Sequence, residues 1–408
     1  MAETENAITE KLSFETQIHE AWDGTEQRAA LRSQPRRYVS YDWQAMELWH
    51  ANYLHALVYS GQTDIMRFPL WHAGIQLWDK NYKDQGNIHI PVRALWPFRN
   101  IGGLLLFVDD ESYSAKYDLK YLTGSGVAGL AKQLTRDWEA VRTRVVPLAY
   151  GVLQQEDSFD TYHSTYTEMT INFELTQNQK AVDFPIALNE YHDEKVSEES
   201  SFRFSLPETY LGSEVWRWEG QWNDAVSANF SRNANRIDYN TGVFRFDVKS
   251  WDPSETWEQT YLLLCREEIH NMQRFFIRQK GKWKSFWTPT WFNDIELVGL
   301  QPAGQSFLVV RFPLYYKYYQ KSKRRKRLVV FYRNNTSEFL TIAGWSTNDD
   351  GTRGKVYLES PLTHSIRPAD VYLISFFLRC RFDTDDLVMD YETTEAATAS
   401  IQFKEVDE

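Results

Sequence analysis

The sequence predicts a mainly β protein (α+β) that consists of two repeated β modules, each a β-sandwich or barrel with one substantial α-helix. Two observations support this fold class. Aromatic residues make up 15% of the chain, with 16 Trp and 23 Tyr, and large rings favour strands and contact surfaces. Each half also presents the same features in the same order: a strand ending in Asp, an amphipathic helix, a Trp- and Pro-containing segment and a closing pair of strands. Such a duplication favours a building block for assembly over a catalyst.

The first module is predicted over residues 21–178. Tyr38 to Asp42 alternates like a strand. From Trp43 to Tyr59 apolar residues recur at intervals of three and four, typical of one helix face, and they are Met46, Trp49, Tyr53, Ala56 and Leu57. Ser60-Gly61 is a helix C-cap signal, and the proline in Phe68-Pro69-Leu70-Trp71 prevents a helix from continuing. The remaining strands are predicted as hairpins over residues 88–134 and as closing strands over residues 143–175, with Phe159-Asp160-Thr161 and Ile171-Asn172-Phe173.

The second module is predicted over residues 215–408. After a turn at residues 238–242, Gly242 to Asp247 is the predicted counterpart of the Tyr38–Asp42 strand. Ser254 is predicted to cap a helix from Glu255 to about Arg278, because apolar residues recur there at intervals of three and four. Trp283 to Trp291 then corresponds to residues 68–71. The remaining strands are predicted at residues 295–300, 306–312, 328–332, 355–359 and 371–382, and the module closes with Phe382-Asp383-Thr384 and Ile401-Gln402-Phe403.

Two polar segments lie outside these modules. Residues 1–20 are predicted to be a polar lead-in, and residues 179–214 a linker or long loop. Met1 to Glu10 lacks the basic and apolar regions of a signal peptide, and no apolar run approaches the roughly 18 residues of a membrane span. We therefore expect a soluble protein that is synthesised in the cytoplasm.

Charge and cysteine content narrow the function classes. The formal net charge of −11 disfavours general nucleic-acid binding by the whole surface. The two cysteines, Cys265 and Cys380, are far apart and lack metal-ligand spacing, which argues against a disulfide framework or a zinc site and fits a reducing compartment.

The sequence offers little that resembles an enzyme. Gly124-Ser125-Gly126 lacks the downstream Lys-Ser/Thr of a phosphate loop, and no Gly-x-Ser-x-Gly elbow occurs. Glu47-x-x-His50 and Glu267-x-x-His270 share a spacing that some metal centres use, but Glu and His at this spacing are more often surface pairs. We predict no catalytic residue, no metal site and no cofactor.

The strongest local charge is the basic run from Lys321 to Arg327, six cations in seven residues. Tyrosines 315, 316, 318 and 319 precede the run, and Phe331-Tyr332 follows it. A solvated hairpin tip and contact with an acidic neighbour in an assembly are equally weighted interpretations, with nucleic acid third. Replacing Lys323, Arg324 and Arg325 with Ser is expected to weaken assembly and leave the fold intact.

The closing strands of the second half carry a resemblance to a known family. Leu378-Arg379-Cys380-Arg381 leads into Phe382-Asp383-Thr384-Asp385-Asp386-Leu387, and the chain ends with Ile401-Gln402-Phe403-Lys404-Glu405-Val406. These residues resemble the distal tail proteins of tailed bacteriophages and gene transfer agents, which often close with an Arg-Phe-Asp-Thr-Asp strand and an acidic last strand. Trp283 to Trp291 is similar to the family's Phe- and Trp-rich segment. The likeness covers residues 216–407 and extends more weakly to residues 20–175.

The doubling departs from the usual distal tail protein, which carries one tube-type module. A chain with two such modules also resembles the tail-tip hub, where paired modules let a trimer mimic a six-fold ring. The resemblance therefore implies two tube-type modules in a structural virion protein of the tail tip or baseplate, and it carries no catalytic residues.

The implied partners are those of a tail tube. Copies of the chain would form a three- or six-fold ring that contacts the tail tube protein, the hub and tape measure or fibre proteins. DNA would pass through an acidic lumen without specific binding, and no membrane is implied. Because Trp and Arg tend to dominate interface energy, the candidate assembly contacts are Arg28, Arg32, Arg36, Arg37, Trp71, Trp287, Trp291, Lys323, Arg324, Arg325 and Arg327.

Two other functions remain open. A carbohydrate-binding module of a host-recognition device fits the Trp content and the β prediction, but leaves the helices and the repeated order unexplained. A tail hydrolase that acts on carbohydrate or cell wall would need two paired carboxylates, and the sequence offers no such constellation.

Overall fold

Over the residues that it describes, the computed structural model is mainly β with two α-helices, as the sequence predicts. It describes residues 8–21, 25–45, 47–62, 64–98, 101–108, 113–154, 159–163, 166–176, 208–223, 225–249, 252–311, 318–347 and 352–407. Most of the predicted linker, residues 179–207, lies outside the described residues, as do Met46 and tyrosines 315 and 316.

The first half contains thirteen described strands and one helix. The strands are β1 (Ile8–Ser13), β2 (Thr16–Glu20), β3 (Glu26–Ala30), β4 (Arg36–Ala45), β5 (Met66–Pro69), β6 (Ile75–Gln76), β7 (Asn87–His89), β8 (Gly103–Val108), β9 (Ser114–Leu122), β10 (Val127–Leu130), β11 (Thr143–Leu153), β12 (Phe159–His163) and β13 (Tyr166–Leu175). The helix α1 (Leu48–Gly61) buries Ala51, Leu54 and Val58, which lie three and four residues apart on one face. Short 3₁₀ turns occur at Trp71–Ala73, Val92–Ala94 and Trp96–Phe98.

The second half contains fourteen described strands and one helix. The strands are β14 (Thr209–Tyr210), β15 (Ser213–Glu214), β16 (Ala228–Ser231), β17 (Ala234–Asp238), β18 (Phe244–Val248), β19 (Ser254–Leu263), β20 (Phe286–Pro289), β21 (Phe307–Arg311), β22 (Arg327–Tyr332), β23 (Ser337–Thr347), β24 (Arg353–Leu358), β25 (Val371–Phe382), β26 (Asp386–Tyr391) and β27 (Ala397–Glu405). The helix α2 (Arg266–Gln279) has Glu267 and Glu268 in its first turn, where negative charges interact favourably with the helix dipole and stabilise the helix. A 3₁₀ turn occurs at Pro368–Asp370.

Strands from both halves form one continuous antiparallel row. From edge to edge its order is β12, β13, β4, β1, β26, β27, β19 and β16. β1 joins the two halves, because it pairs with β4 on one side and with β26 on the other. Within the described chain β12 pairs only with β13 and β16 only with β19, so these two strands are the edges of the row.

Each half has its own hydrophobic core behind this row. In the first half, β11 pairs with β5, β8 and the end of β13, and the core includes Tyr41, Phe98 and Ile171. In the second half, β25 pairs with β20, β22 and the end of β27, and the core includes Trp216 and Phe382. Leu12 of β1 belongs to the second core, so the start of the chain helps to close the second half.

Both predicted helices begin later than the sequence suggests. Trp43 belongs to β4 and α1 starts at Leu48, while Ser254 starts a strand rather than capping a helix. In β19 the buried residues alternate, with Gln259, Tyr261 and Leu263 on one face. Because a spacing of four residues suits both a helix and one face of a strand, Trp257 and Tyr261 did not distinguish the two.

Three further predictions are corrected. Residues 8–20, predicted as a polar lead-in, form β1 and β2. Residues 295–300 contain only an isolated bridge between Leu297 and Val310. The predicted match between Tyr38–Asp42 and Gly242–Asp247 is also wrong in its pairing, because β4 lies inside the row while β18 pairs only with β17 among the described strands.

Candidate assembly surfaces

One face of the eight-strand row is polar, and the other is largely buried except at the edge strand β16, where Phe230 is 65% exposed. Residues opposite one another in register share a face. On the polar face, Thr9 donates to Asp390 (2.6 Å), Thr170 donates to Asp42 (2.7 Å), and the hydroxyls of Thr260 and Ser400 lie 2.9 Å apart. These cross-strand bonds hold a surface made largely of hydroxyls and carboxylates.

The polar face carries a net negative charge. Its charged residues, among those the structure describes, are the acids Asp42, Asp160, Glu168, Glu174, Glu258, Asp386 and Asp390 and the bases Lys11, Arg36 and Lys404. Such a face repels a polyanion and offers it no array of cations to bind.

The hairpin β2–β3 covers one end of this face in the second half. Its Glu26 accepts hydrogen bonds from Arg381 (2.8 and 3.0 Å) and Lys404 (2.8 Å), and Thr16 donates its hydroxyl to Asp385 (2.8 Å). Burial alone would raise the pKa of Glu26, but the hydrogen bonds from the two cations hold it at about 2. The hairpin is therefore fixed by charge-assisted bonds to the other half of the chain.

A buried polar cluster lies where β1 joins the halves. Glu10, which is 2% exposed, pairs with Arg37 and accepts hydrogen bonds from Tyr391 (2.8 Å) and Gln273 (3.0 Å). Burial favours the neutral acid, yet the charge of Arg37 and contacts with His72 and Tyr391 hold the pKa of Glu10 well below its usual range. Burial also lowers the pKa of His72, whose Nε2 lies 3.5 Å from the Glu10 carboxylate. The cluster links β1, β4, β26 and α2.

The hairpin β17–β18 differs from β2–β3 because its side chains are largely exposed. Pairing of Arg236 with Phe246 and of Asp238 with Phe244 places these side chains on one face, together with Val248. Phe244 and Phe246 are 49% and 59% exposed, their ring centroids lie 5.6 Å apart, and the guanidinium of Arg236 lies 4.3 Å from the Phe244 ring. An apolar patch on a projecting hairpin is typical of an interaction surface.

The four predicted arginines of the first half contact the chain itself. Arg28 donates to the Lys282 carbonyl (3.5 Å), and Arg32 pairs with Glu15 (2.7 Å). Arg36 lies on the polar face 3.5 Å from Glu174, and its side chain is 53% exposed. Arg37 is directed inward to Glu10. Of these four, Arg36 is the most accessible to a partner.

The predicted tryptophan contacts occupy different environments. Trp71 packs edge-on against Phe107 and lines an open cavity of about 560 Å³. Trp287 is 2% exposed and stacks on Phe377, and Trp291 is 8% exposed and stacks on Phe331. The prediction of surface contacts is therefore corrected for Trp287 and Trp291, because packing inside the second half uses both rings.

The basic run is also used largely within the chain. Arg325 bonds Glu405 (2.7 Å) and Glu255 (2.5 Å), while Arg324 bonds Asp407 (2.7 Å). Arg327 lies over the Trp287 ring (5.2 Å) and donates to the Tyr210 hydroxyl (3.3 Å), whereas the side chain of Lys323 is exposed. The acidic neighbour predicted for this run is, for Arg324 and Arg325, the chain's own carboxylates. The expectation that replacing Arg325 leaves the fold intact is therefore corrected, because its buried guanidinium holds Glu255 and Glu405.

Two findings bear on other functions. In the described part of the chain, no group of three or more His, Cys, Asp or Glu side chains is arranged to hold a metal ion, and Glu267 and His270 stand apart from further ligands. No described helix has the length and apolarity needed to cross a membrane.

Sequence reasoning missed β1, the hairpin β2–β3 and the first strand of the hairpin β17–β18, although it predicted the turn at residues 238–242 and the strand that follows. Leu12 between Lys11 and Ser13 gave only a short alternating signal for β1.

No protein-family model matches this sequence, and no curated protein matches it significantly.

Proposed function

We propose that the chain is an internally duplicated structural protein whose copies assemble head to tail into a ring, and that this ring is part of a phage tail tip or baseplate. The observation that carries the proposal is the order of the row. The strands β12, β13, β4 and β1 are followed by β26, β27, β19 and β16, two sets of four with the same antiparallel directions.

Register supports the equivalence of these two sets. An offset of 218 residues relates Arg36–Ala45 of β4 to Ser254–Leu263 of β19, and the same offset relates α1 to α2. It also relates the hairpin pair Glu20–Glu26 to Asp238–Phe244. A constant offset across three strands and a helix is difficult to obtain without duplication.

Pairing in the closing strands gives a second register. Val39 opposes Phe173 as Trp257 opposes Phe403, and Val152 opposes Glu174 as Arg381 opposes Lys404. The closing strands of the halves thus correspond at offsets of 229–230, which also replaces the Phe-Asp-Thr match suggested by sequence.

Each set of four strands, together with its half of the chain, forms one unit, and two such units in the same orientation favour a ring. Inside the chain, the β1 edge of the first unit meets the β26 edge of the second, so the contact is heterologous. Repeating a heterologous contact between copies gives a closed ring or an open filament. Three copies would supply six units, as in the hub that the sequence resembles, and six copies are the alternative.

The polar face suits the wall of a tail lumen. Its hydroxyls and its excess of carboxylates would let DNA pass without being held, and the core behind it would support the wall. In this role the protein would contact the tail tube protein, the hub and tape measure or fibre proteins, and it would be found in the virion.

Native mass spectrometry and negative-stain imaging of the purified protein test the proposal. The expected result is a closed particle of three or six chains with a central hole. A monomer at every concentration, especially one that binds glycans, would contradict the ring and favour the carbohydrate-binding function.

A further inference from the structure

We infer that the edge strand β16 of one copy pairs with the edge strand β12 of the next, in the register that β1 and β26 use inside the chain. The inference rests on the proposed ring and adds which residues of two copies meet. The partner it commits to is a second copy of this chain. Continuity of the row supports that partner, because both edges project antiparallel strands that would extend the same sheet.

The register follows from pairings within the chain. Glu10 opposes Val39 of β4, and Ala228 opposes Trp257 of β19, so Ala228 occupies the place of Glu10. By the same reasoning Ser227 occupies the place of Thr9. β1 and β16 are therefore equivalent, each as the fourth strand of its set beside the third strand, β4 or β19.

The opposite edge is fixed in the same way. Asp390 opposes Thr398 in β27, and Asp160 opposes Glu168 in β13. Thr398 and Glu168 correspond at the offset of 230 residues, so Asp160 occupies the place of Asp390. Since Thr9 pairs with Asp390 inside the chain, Ser227 is placed opposite Asp160 of the next copy.

The chemistry of that pair is retained. Inside the chain, the Thr9 hydroxyl donates to the Asp390 carboxylate at 2.6 Å. Ser227 also supplies a hydroxyl, Asp160 also supplies a carboxylate, and both residues are exposed in the single chain. The same hydroxyl-to-carboxylate bond can therefore form between copies, with both residues on the polar face.

The hairpin β17–β18 adds a second contact. Glu26 of β2–β3 binds Arg381 and Lys404, and the corresponding positions are Phe244 on the second hairpin and Val152 and Glu174 on the first half. Phe244 would thus cover Val152 of the next copy. Arg236 next to that ring would approach Glu174.

These contacts also distinguish the junction inside the chain, between β1 and β26, from the junction between copies, between β16 and β12. A hairpin carrying Glu26 placed over Glu174 would bring like charges together. Phe244 placed over Arg381 and Lys404 would remove the Glu26 carboxylate from both cations and leave Arg381 paired with Asp383. Each hairpin therefore suits one site, which orders the copies head to tail.

Disulfide trapping tests the register. In a Cys265→Ser background, Ser227→Cys with Asp160→Cys should give a ladder of disulfide-linked chains on non-reducing gels. The matched control, Thr9→Cys with Asp390→Cys, should crosslink within one chain and run as a monomer. The off-register control, Val226→Cys with Asp160→Cys, places the cysteines on opposite faces and should give at least roughly tenfold less ladder.

The mass of the unmodified protein in solution distinguishes failure of this register from failure of the ring. Rings without a preferred Ser227–Asp160 crosslink would overturn this register and leave the ring itself standing. Absence of both rings and interchain crosslinks, with the Thr9–Asp390 control formed, would overturn the register and the proposed function together.

Discussion

Replacing Phe244 and Phe246 with Ser is expected to weaken association between copies and to leave the fold of the chain unchanged. The two rings are 49% and 59% exposed in the single chain. Full burial of a Phe side chain contributes roughly 1.5–3 kcal/mol, so covering the exposed halves of both rings contributes about 1.5–3 kcal/mol per junction. At about 1.4 kcal/mol per factor of ten, the association constant of one junction should fall roughly ten- to a hundredfold.

Mass photometry or sedimentation velocity over a dilution series measures this change as a shift in the concentration at which rings dissociate. Ile237→Ser is the matched control, because Ile237 is 41% exposed on the opposite face of the same hairpin. Equal shifts for the control and the double variant, or no shift for the double variant, would refute the assignment of the Phe face to the junction.

Three further predictions concern stability. R325S should cost roughly 3–5 kcal/mol, because Glu255 and Glu405 lose the buried guanidinium that pairs with them. K323S should change stability by less than about 0.5 kcal/mol. Similar free energies of unfolding in urea for the two variants would argue against an internal role for the basic run. L12A should cost roughly 2–5 kcal/mol of folding stability. F230A changes the equivalent position, which is 65% exposed, and should leave stability unchanged but weaken ring formation. Loss of stability in both variants would contradict a free β16 edge. E10Q should cost about 3 kcal/mol at neutral pH. It should also flatten the loss of stability below about pH 4.5, because a carboxyl group with a lowered pKa stabilises the fold above its unfolded-state pKa and loses this contribution as the pH falls. Parallel pH profiles of the variant and the unmodified protein in thermal melts would count against this role of Glu10.

The sequence predicted the elements whose pattern is local. Tyr38 to Asp42 alternates and forms a strand, and the apolar spacing within α2 matches its buried face. For α1 the predicted face was wrong, because Trp49 and Tyr53 are 58% and 64% exposed while Ala51, Leu54 and Val58 are buried. Where one pattern served two structures the prediction failed, as with Trp257 and Tyr261 in β19. The sequence predicted a repeat, but it could not tell which strands of the two halves correspond, because that depends on pairing between residues that are distant in the chain.

Pairing between distant residues also explains why the sequence could not show which candidate assembly contacts are already used within the chain. The basic run is obvious in sequence, yet Arg325 meets Glu255 and Glu405, which lie 70 and 80 residues away. Charge density alone could not identify those partners. The triplet Phe159-Asp160-Thr161 lies in β12, but neither it nor the sequence of β16 indicates a sheet edge. The two strands become candidates only because pairing leaves one side of each strand open in the described chain.

Electron cryomicroscopy of the assembled protein would show directly whether its copies form a ring through their sheet edges. We expect a closed ring in which the eight-strand rows of successive copies join into one wall. Three chains would place six units around the axis, with the hydroxyl- and carboxylate-rich face lining the hole. Copies that meet about a two-fold axis, or a ring whose β12 and β16 edges both face solvent, would contradict this expectation.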